Sequence, residues 1–168
     1  MNAKTRTLAG FAVLDVVLLA MACLIPTASH LLAVPLYMLN PMLALLLAGM
    51  LVGRDWRNAL LLAVLMPLVS CLLVGMPTAP KMVCMMAELA TVAGLFHVIL
   101  KFGIQNSKIN IGVLPAVLVS VLVAKVVYYI LKALILAPAV LVGTAWWMQL
   151  GAAIVWCGLF AILYKRLK

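Results

Sequence analysis

The chain has 168 residues, of which 69% are hydrophobic and 9% are charged, and its formal net charge is +9. A soluble domain averages roughly 45–50% apolar and about 25% charged residues, so folding in water would leave most of this apolar surface exposed. The composition excludes a soluble enzyme, a nucleic-acid-binding domain and a secreted disulfide scaffold, and it predicts an all-α integral membrane protein.

Long apolar runs predict a polytopic membrane protein with six transmembrane helices, forming a single domain over residues 1–168. The first predicted helix covers Leu8–Ile25 and is interrupted by Asp15. The later spans are predicted within Leu31–Gly53, Asn58–Val74, Lys81–Leu100, Ile109–Ala137 and Thr144–Tyr164. An even number of spans places both termini on one side of the membrane.

The positive charges alternate along the chain in the way that fixes membrane orientation. Nine of the twelve lysines and arginines fall in four short clusters, namely Lys4 and Arg6, Arg54 and Arg57, Lys101 and Lys108, and Lys165, Arg166 and Lys168. If these clusters are cytoplasmic, the loops between them hold only Lys81, as the positive-inside rule expects. The pattern predicts that both termini are cytoplasmic, and its interruption by apolar spans argues against a nucleic-acid partner.

The first span also resembles a signal peptide, because Lys4 and Arg6 precede it and Ala20-Met21-Ala22 is similar to a cleavage site. Asp15 in the middle of the apolar stretch argues against cleavage. Removal would also leave five helices and break the charge alternation, so we expect the segment to be retained as the first helix.

Two apolar loops give the first indication of a binding site. Asn40-Pro41 is a helix-start signal, and a helix from Pro41 to Gly53 would be ~20 Å long, shorter than the ~30 Å hydrocarbon core. We therefore predict that Thr27–Asn40 forms a loop folded back over the outer face of the bundle. The rigid, nearly uncharged turn Gly75–Pro80 suits a pocket lining, although its composition alone is explained more simply by an ordinary short connection.

Ionisable residues within a bilayer are costly and are functional hypotheses by default. Five are predicted at membrane depth: Asp15, Glu88, His97, Lys125 and Lys132. Counting residues along the predicted helices places Lys125 at the depth of Asp15, with Glu88 between the depths of the two lysines.

A stripe of Lys125, Tyr128 and Lys132 shares one face of the fifth helix and could bind the carboxylate of a small solute. Two alternatives remain open, because Lys132 is near enough to the surface to snorkel and Lys125 could neutralise Asp15. Trp147 and Gln149, near the outer end of the last helix, could reach the same pocket, although Trp147 also suits an aromatic belt.

Catalysis is not expected, because the chain lacks the motifs of metalloproteases, hydrolases and nucleotide-binding loops. The four cysteines lie in apolar runs without C-x-x-C spacing and are interpreted as small hydrophobic residues, so no metal or cofactor is predicted. Any ATP-driven step would have to come from another chain.

About residues 35–100 resemble the substrate-binding S components of energy-coupling factor (ECF) transporters. The resemblance is carried, in the same order and at similar spacing, by Asn40-Pro41-Met42, Leu47–Gly53, Pro67, Gly75-Met76-Pro77 and Met86-Ala87-Glu88-Leu89-Ala90. It implies a receptor in a bacterial or archaeal cytoplasmic membrane that captures a vitamin or related micronutrient from outside. Its partners would be a transmembrane coupling protein and two ATPase subunits.

The resemblance also implies where the pocket lies: at the loop before the second helix, at the loop between helices three and four, and on the last three helices. Together with the residue analysis, it gives the predicted site residues Asn40, Met42, Met76, Pro77, Glu88, Lys125, Tyr128, Lys132, Trp147 and Gln149. The lysines favour an organic anion such as pantothenate, nicotinate or folate.

Two departures from the family pattern concern the docking surface and the ligand. The first helix lacks the small-x-x-x-small motif with which the family contacts its coupling protein, and Leu43 stands where several relatives have a histidine after the Pro-Met pair. The alternative function is a non-transporting membrane scaffold, such as a cell-shape or envelope-assembly subunit of similar topology.

Overall fold

The computed structural model describes residues 3–32, 39–52, 55–105, 112–136 and 146–167, and these residues form helices without any β-strand. The six helices are α1 (Ala3–Leu31), α2 (Pro41–Val52), α3 (Trp56–Val74), α4 (Ala79–Gln105), α5 (Val113–Leu136) and α6 (Trp146–Leu167). The prediction of an all-α fold is confirmed.

Five of the described helices are long and apolar enough to cross a membrane, whereas α2 is shorter. The 12 residues of α2 span ~18 Å at ~1.5 Å per residue, well below the ~30 Å hydrocarbon core. The structure therefore fits a multi-pass membrane protein with five full-length spans and one short apolar helix, rather than six equivalent spans.

The predicted end of the first helix was wrong. The chain does not leave the helix at Thr27, because α1 continues through Pro26 to Leu31. A proline inside a helix removes one backbone hydrogen bond and leaves the carbonyl four residues earlier without its helical partner. Here that carbonyl, on Ala22, accepts a hydrogen bond from the Ser70 hydroxyl at 3.2 Å, so a neighbouring helix supplies the missing donor. Residues 33–38 of the predicted loop lie outside the described residues.

The helices form a closed ring in the order α1, α3, α4, α5, α6 and α2, and α2 contacts α1 again. The short helix α2 also contacts α3 and α4, so it lies partly inside the ring. A helix that is apolar on every side is stable where other helices surround it. Its buried residues are Met42, Leu43, Leu46, Leu47 and Gly49.

Aromatic side chains pack the end of the bundle where α4 and α6 finish. Phe96 and Phe160 meet edge to face with ring centroids 5.3 Å apart, and Tyr164 contacts both rings. At the start of α3, Trp56 stacks on His97 at 5.2 Å. These contacts fill one end of the bundle and hold the helices in register.

The glycines Gly49 of α2 and Gly94 of α4 differ in their packing. A Cβ atom at Gly49 would lie 2.9 Å from Leu62 Cδ1 and 3.1 Å from Leu18 Cδ1, whereas at Gly94 nothing among the described residues lies within 4 Å. We expect Gly49→Leu to lower the free energy of unfolding by about 1–3 kcal/mol, because the larger side chain must displace Leu18 of α1 and Leu62 of α3 away from α2.

The matched control is Gly94→Leu, which should change stability by less than about 0.5 kcal/mol in the destabilising direction. The measurement is the thermal unfolding of the two variants and of the unaltered protein in the same detergent. Equal losses of stability for the two variants would contradict the packing of α2 described above.

Candidate functional site

A cavity of about 340 Å³ opens at the end of the bundle opposite the aromatic cluster. Its lining comes from the last turns of α1, the first turns of α2, α4 and α6, the loop after α3, and two residues of α5. The cavity therefore lies away from the start of α1 and the end of α6.

Most of the residues predicted from the sequence come together at this cavity. Eight of the ten line it: Asn40, Met42, Met76, Pro77, Glu88, Lys125, Tyr128 and Gln149. Trp147 does not line it, and its side chain is 64% exposed on the bundle surface. Lys132 does not line it either, but only 2% of its surface is exposed, so the structure buries this lysine instead of letting it snorkel.

An ion pair lies in the cavity wall. Lys125 Nζ on α5 is 2.7 Å from Glu88 Oε1 on α4, and each side chain is only 5% exposed. The alternative in which Lys125 neutralises Asp15 was wrong, because Asp15 Oδ1 accepts a hydrogen bond from Asn58 Nδ2 at 3.0 Å. Counting residues along a helix gives depth but not rotation, so it could not decide which acid faces Lys125.

The start of α2 is anchored at the same ion pair. The Asn40 backbone has a φ of 49°, a left-handed conformation that asparagine adopts more readily than most residues. Its carbonyl accepts hydrogen bonds from the Leu43 and Ala44 amides and so begins the helix. Its side-chain Nδ2 donates to Glu88 Oε1 at 3.3 Å.

The short helix leaves the cavity open because it begins deep in the bundle. Asn40 meets Glu88, nine residues after Ala79 begins α4, which corresponds to a depth of ~14 Å. Leu39 lies at a similar depth beside α6, because Trp156 Nε1 of that helix donates a hydrogen bond to the Leu39 carbonyl at 2.8 Å. The space between this deep start of α2 and the ends of the neighbouring helices is the cavity.

Tyr128 completes the polar part of the lining. It follows Lys125 by three residues on α5, and its ring centroid lies 5.4 Å from Lys125 Nζ, within the range of a cation–π contact. The predicted stripe is therefore real for Lys125 and Tyr128, which both line the cavity, but Lys132 is not part of the lining.

A buried hydroxyl holds the loop after α3 against α1. Gly75 ends α3 with a φ of 73°, and its amide donates to the Cys71 carbonyl, a capping geometry that favours glycine. Ser70 Oγ lies 2.6 Å from the Met76 carbonyl and 3.2 Å from the Ala22 carbonyl. The hydroxyl has a single proton, which the two carbonyls share, with the shorter contact to Met76. This side chain thus connects the cavity rim to the carbonyl that Pro26 leaves without a helical partner.

Sequence reasoning missed several lining residues. Pro26 and Ser29 line the cavity from α1, and they were missed because the helix was predicted to end at Ile25. Lys81 and Met85 line it from α4. They precede Glu88 by seven and three residues, a spacing that places all three on one helix face, so this signal was available.

The lining of the cavity suits a small-molecule ligand. Among the described residues, no group of three or more histidines, cysteines, aspartates or glutamates is close enough to bind a metal. The cavity offers apolar walls, a paired carboxylate and ammonium group, and side-chain amides and hydroxyls, which are the usual components of a small-molecule site.

We expect the loss of stability on removing one charge of the ion pair to depend on whether the other charge is present. Lys125→Met should lower the free energy of unfolding by about 3–5 kcal/mol, because it leaves the Glu88 carboxylate buried without its cation. The double variant Glu88→Met/Lys125→Met removes both charges and should recover most of that loss. Thermal unfolding of the three proteins in one detergent tests this, and a double variant no more stable than the single one would contradict the pairing.

The role of Ser70 can be tested against a second buried serine. Ser70→Ala should accelerate hydrogen–deuterium exchange of the amides in Gly75–Thr78, because the rim loses its bond to the helix bundle. Ser120→Ala is the control, since Ser120 is equally buried but donates to the Ala116 carbonyl of its own helix at 2.8 Å. Equal exchange rates at Gly75–Thr78 in the two variants would exclude this role.

Comparisons of the chain with protein-family models, with curated proteins and with solved structures find no match.

Proposed function

We propose that this protein is the substrate-binding subunit, or S component, of an ECF-type importer that captures a vitamin or related micronutrient from outside the cell. The observation that carries the proposal is the cavity itself, which opens at one end of the bundle, is lined by Asn40 and by the loop residues Met76 and Pro77, and has the Glu88–Lys125 pair in its wall. Asn40, Met76, Pro77 and Glu88 belong to motifs that carry the family resemblance.

The dimensions and lining of the cavity support a small organic ligand. Its volume of about 340 Å³ falls within the ~300–1,000 Å³ typical of small-molecule sites. It corresponds to ~11 water molecules at ~30 Å³ each, which is the scale of a single small vitamin. Charged side chains in a membrane-spanning bundle are costly and generally mark a functional pathway, and here a charged pair faces this space.

The distribution of positive charge supports an outward-facing cavity. Arg57, Lys101, Lys165 and Arg166 lie near helix ends remote from the cavity, whereas Lys81 lines it. By the positive-inside rule, the end of the bundle remote from the cavity is cytoplasmic, and the cavity faces outward. Both termini are then cytoplasmic, and the membrane is the cytoplasmic membrane of a bacterium or archaeon.

Transport would require the partners that the resemblance implies, namely a membrane coupling protein and two ATPase subunits. The helix α1 offers a long apolar surface, with Val13, Val16 and Leu24 each more than half exposed. In a bilayer this surface contacts lipid and is accessible to another membrane protein. A scaffold subunit would also present such a surface, but it would have no need of a charged cavity, so the cavity favours the receptor.

We expect the protein, purified in mild detergent, to retain a small molecule detectable by native mass spectrometry. Ser29→Trp should reduce the retained fraction at least tenfold, because Ser29 lines the cavity and an indole there would occupy the space of the ligand. Val126→Trp is the matched control, since Val126 is 58% exposed and lies outside the lining.

Two results would count against the receptor. One is a protein that holds no small molecule even when it is isolated without extensive washing. The other is a molecule held equally by Ser29→Trp and Val126→Trp, which would place it outside the cavity. Co-purification with envelope-assembly proteins in place of a small molecule would favour the scaffold.

A further inference from the structure

We infer that the ligand of this cavity presents a neutral cyclic amide or ureide edge, a ring N–H beside a carbonyl, to the Glu88–Lys125 pair. This inference rests on the proposed function and narrows its substrate class. It replaces the organic anion expected from the lysine stripe, because the structure pairs Lys125 with the buried carboxylate of Glu88.

The charges of the site disfavour a carboxylate at Lys125. The lysine is already paired with Glu88 at 2.7 Å, so a ligand carboxylate bound to the same ammonium group would lie against a second negative charge. Lys132, the other cation of the predicted stripe, does not line the cavity. A neutral ligand avoids this repulsion and leaves the buried pair intact.

The hydrogen-bonding groups of the pair match a ligand that presents a donor and an acceptor side by side. Lysine has three N–H donors, and an ionised carboxylate has about four acceptor sites. In the described residues, the contacts made by Lys125 and by Asn40 Nδ2 both fall on Glu88 Oε1. Glu88 Oε2 can accept from a ligand N–H, while the remaining ammonium hydrogens of Lys125 can donate to a ligand carbonyl.

Only certain amides present both groups along one edge. An open-chain secondary amide is trans, so its N–H and C=O point in opposite directions. A ring forces the cis arrangement, which points both groups the same way with nitrogen and oxygen ~2.2 Å apart, from bond lengths of ~1.33 and ~1.23 Å. A cyclic amide can therefore donate its N–H to Glu88 Oε2 while its carbonyl accepts from Lys125 Nζ, which bonds Glu88 through Oε1 at 2.7 Å.

The walls around the pair suit a flat ring. Met42, Met76 and Met85 line the cavity with Pro77 and Tyr128. Thioethers adapt to irregular shapes and contact aromatic rings favourably, and the tyrosine ring gives a planar face. Lys81 lies two helical turns, ~10 Å, before Glu88 on α4, so it is placed for a substituent of the ligand and not for the edge that meets the pair.

The test uses the full chain in nanodiscs and three probes: quinazolin-4-one, its N3-methyl derivative and quinoline-4-carboxylate. Ligand-observed NMR at millimolar concentration measures binding of each. We expect quinazolin-4-one to bind, the N3-methyl compound to bind at least tenfold more weakly because its donor is blocked, and the carboxylate to bind at least tenfold more weakly because of Glu88.

Substitutions test whether the binding of quinazolin-4-one depends on the Glu88–Lys125 ion pair. Glu88→Met/Lys125→Met removes both charges together, so no single charge is left buried, and it should reduce quinazolin-4-one binding at least tenfold. Ser120→Ala, in a buried residue outside the lining, should bind as the unaltered protein does. Near-UV circular dichroism checks that each variant is folded. Lys125→Gln provides a second pair variant, which keeps a hydrogen-bonding side chain beside Glu88 and is expected to weaken binding in the same direction.

Three results would each overturn the inference. The protein could prefer the carboxylate, it could bind none of the probes, or both folded pair variants could bind quinazolin-4-one as tightly as the unaltered protein does. The receptor function is judged separately, by the molecule that the purified protein retains. A retained carboxylic acid that contains no ring amide or ureide, and that is lost on Ser29→Trp, would refute the cyclic amide edge while leaving the receptor standing. Absence of any cavity-bound molecule would refute both.

Discussion

The Glu88–Lys125 ion pair is the constraint around which the rest of the site is arranged. Two charges buried in an apolar bundle are tolerated only when they are paired and hydrogen-bonded, and here each charge comes from a different helix. The pair therefore fixes the rotation of α4 against α5. Through Asn40 it also fixes the point at which α2 begins. The polar interaction sets the geometry, and the surrounding apolar side chains supply most of the packing.

The cavity follows from this arrangement together with the length of α2. Because α2 starts at the level of the ion pair, the ring of helices lacks one member over the last ~14 Å of its depth. The rim is then formed by the loop after α3, which Ser70 connects to α1. At the opposite end, the described parts of α4 and α6 meet through Phe96 and Phe160. In the described residues, the bundle is therefore packed with aromatic side chains at one end and open at the other.

Much of this could be predicted from the sequence because the signals were local. Apolar run length gave the helices, and the Asn40-Pro41 step correctly marked the start of a short α2. The first helix was predicted to end at Ile25, just before Pro26, because the sequence cannot show that Ser70, far along the chain, donates a hydrogen bond to the carbonyl that Pro26 leaves without a helical partner. Contact between distant residues was the general obstacle. Depth along a helix was predictable, but the rotation that pairs Lys125 with Glu88 and buries Lys132 was not.

The most direct test of the central claim is an experimental structure of the full chain purified in lipid nanodiscs without added ligand. The account predicts density for a small non-lipid molecule in the cavity, in contact with Glu88 and Lys125, and an unchanged ion pair beside it. A cavity closed by its own side chains or occupied by a lipid acyl chain, with the two charged residues remote from any bound solute, would contradict it.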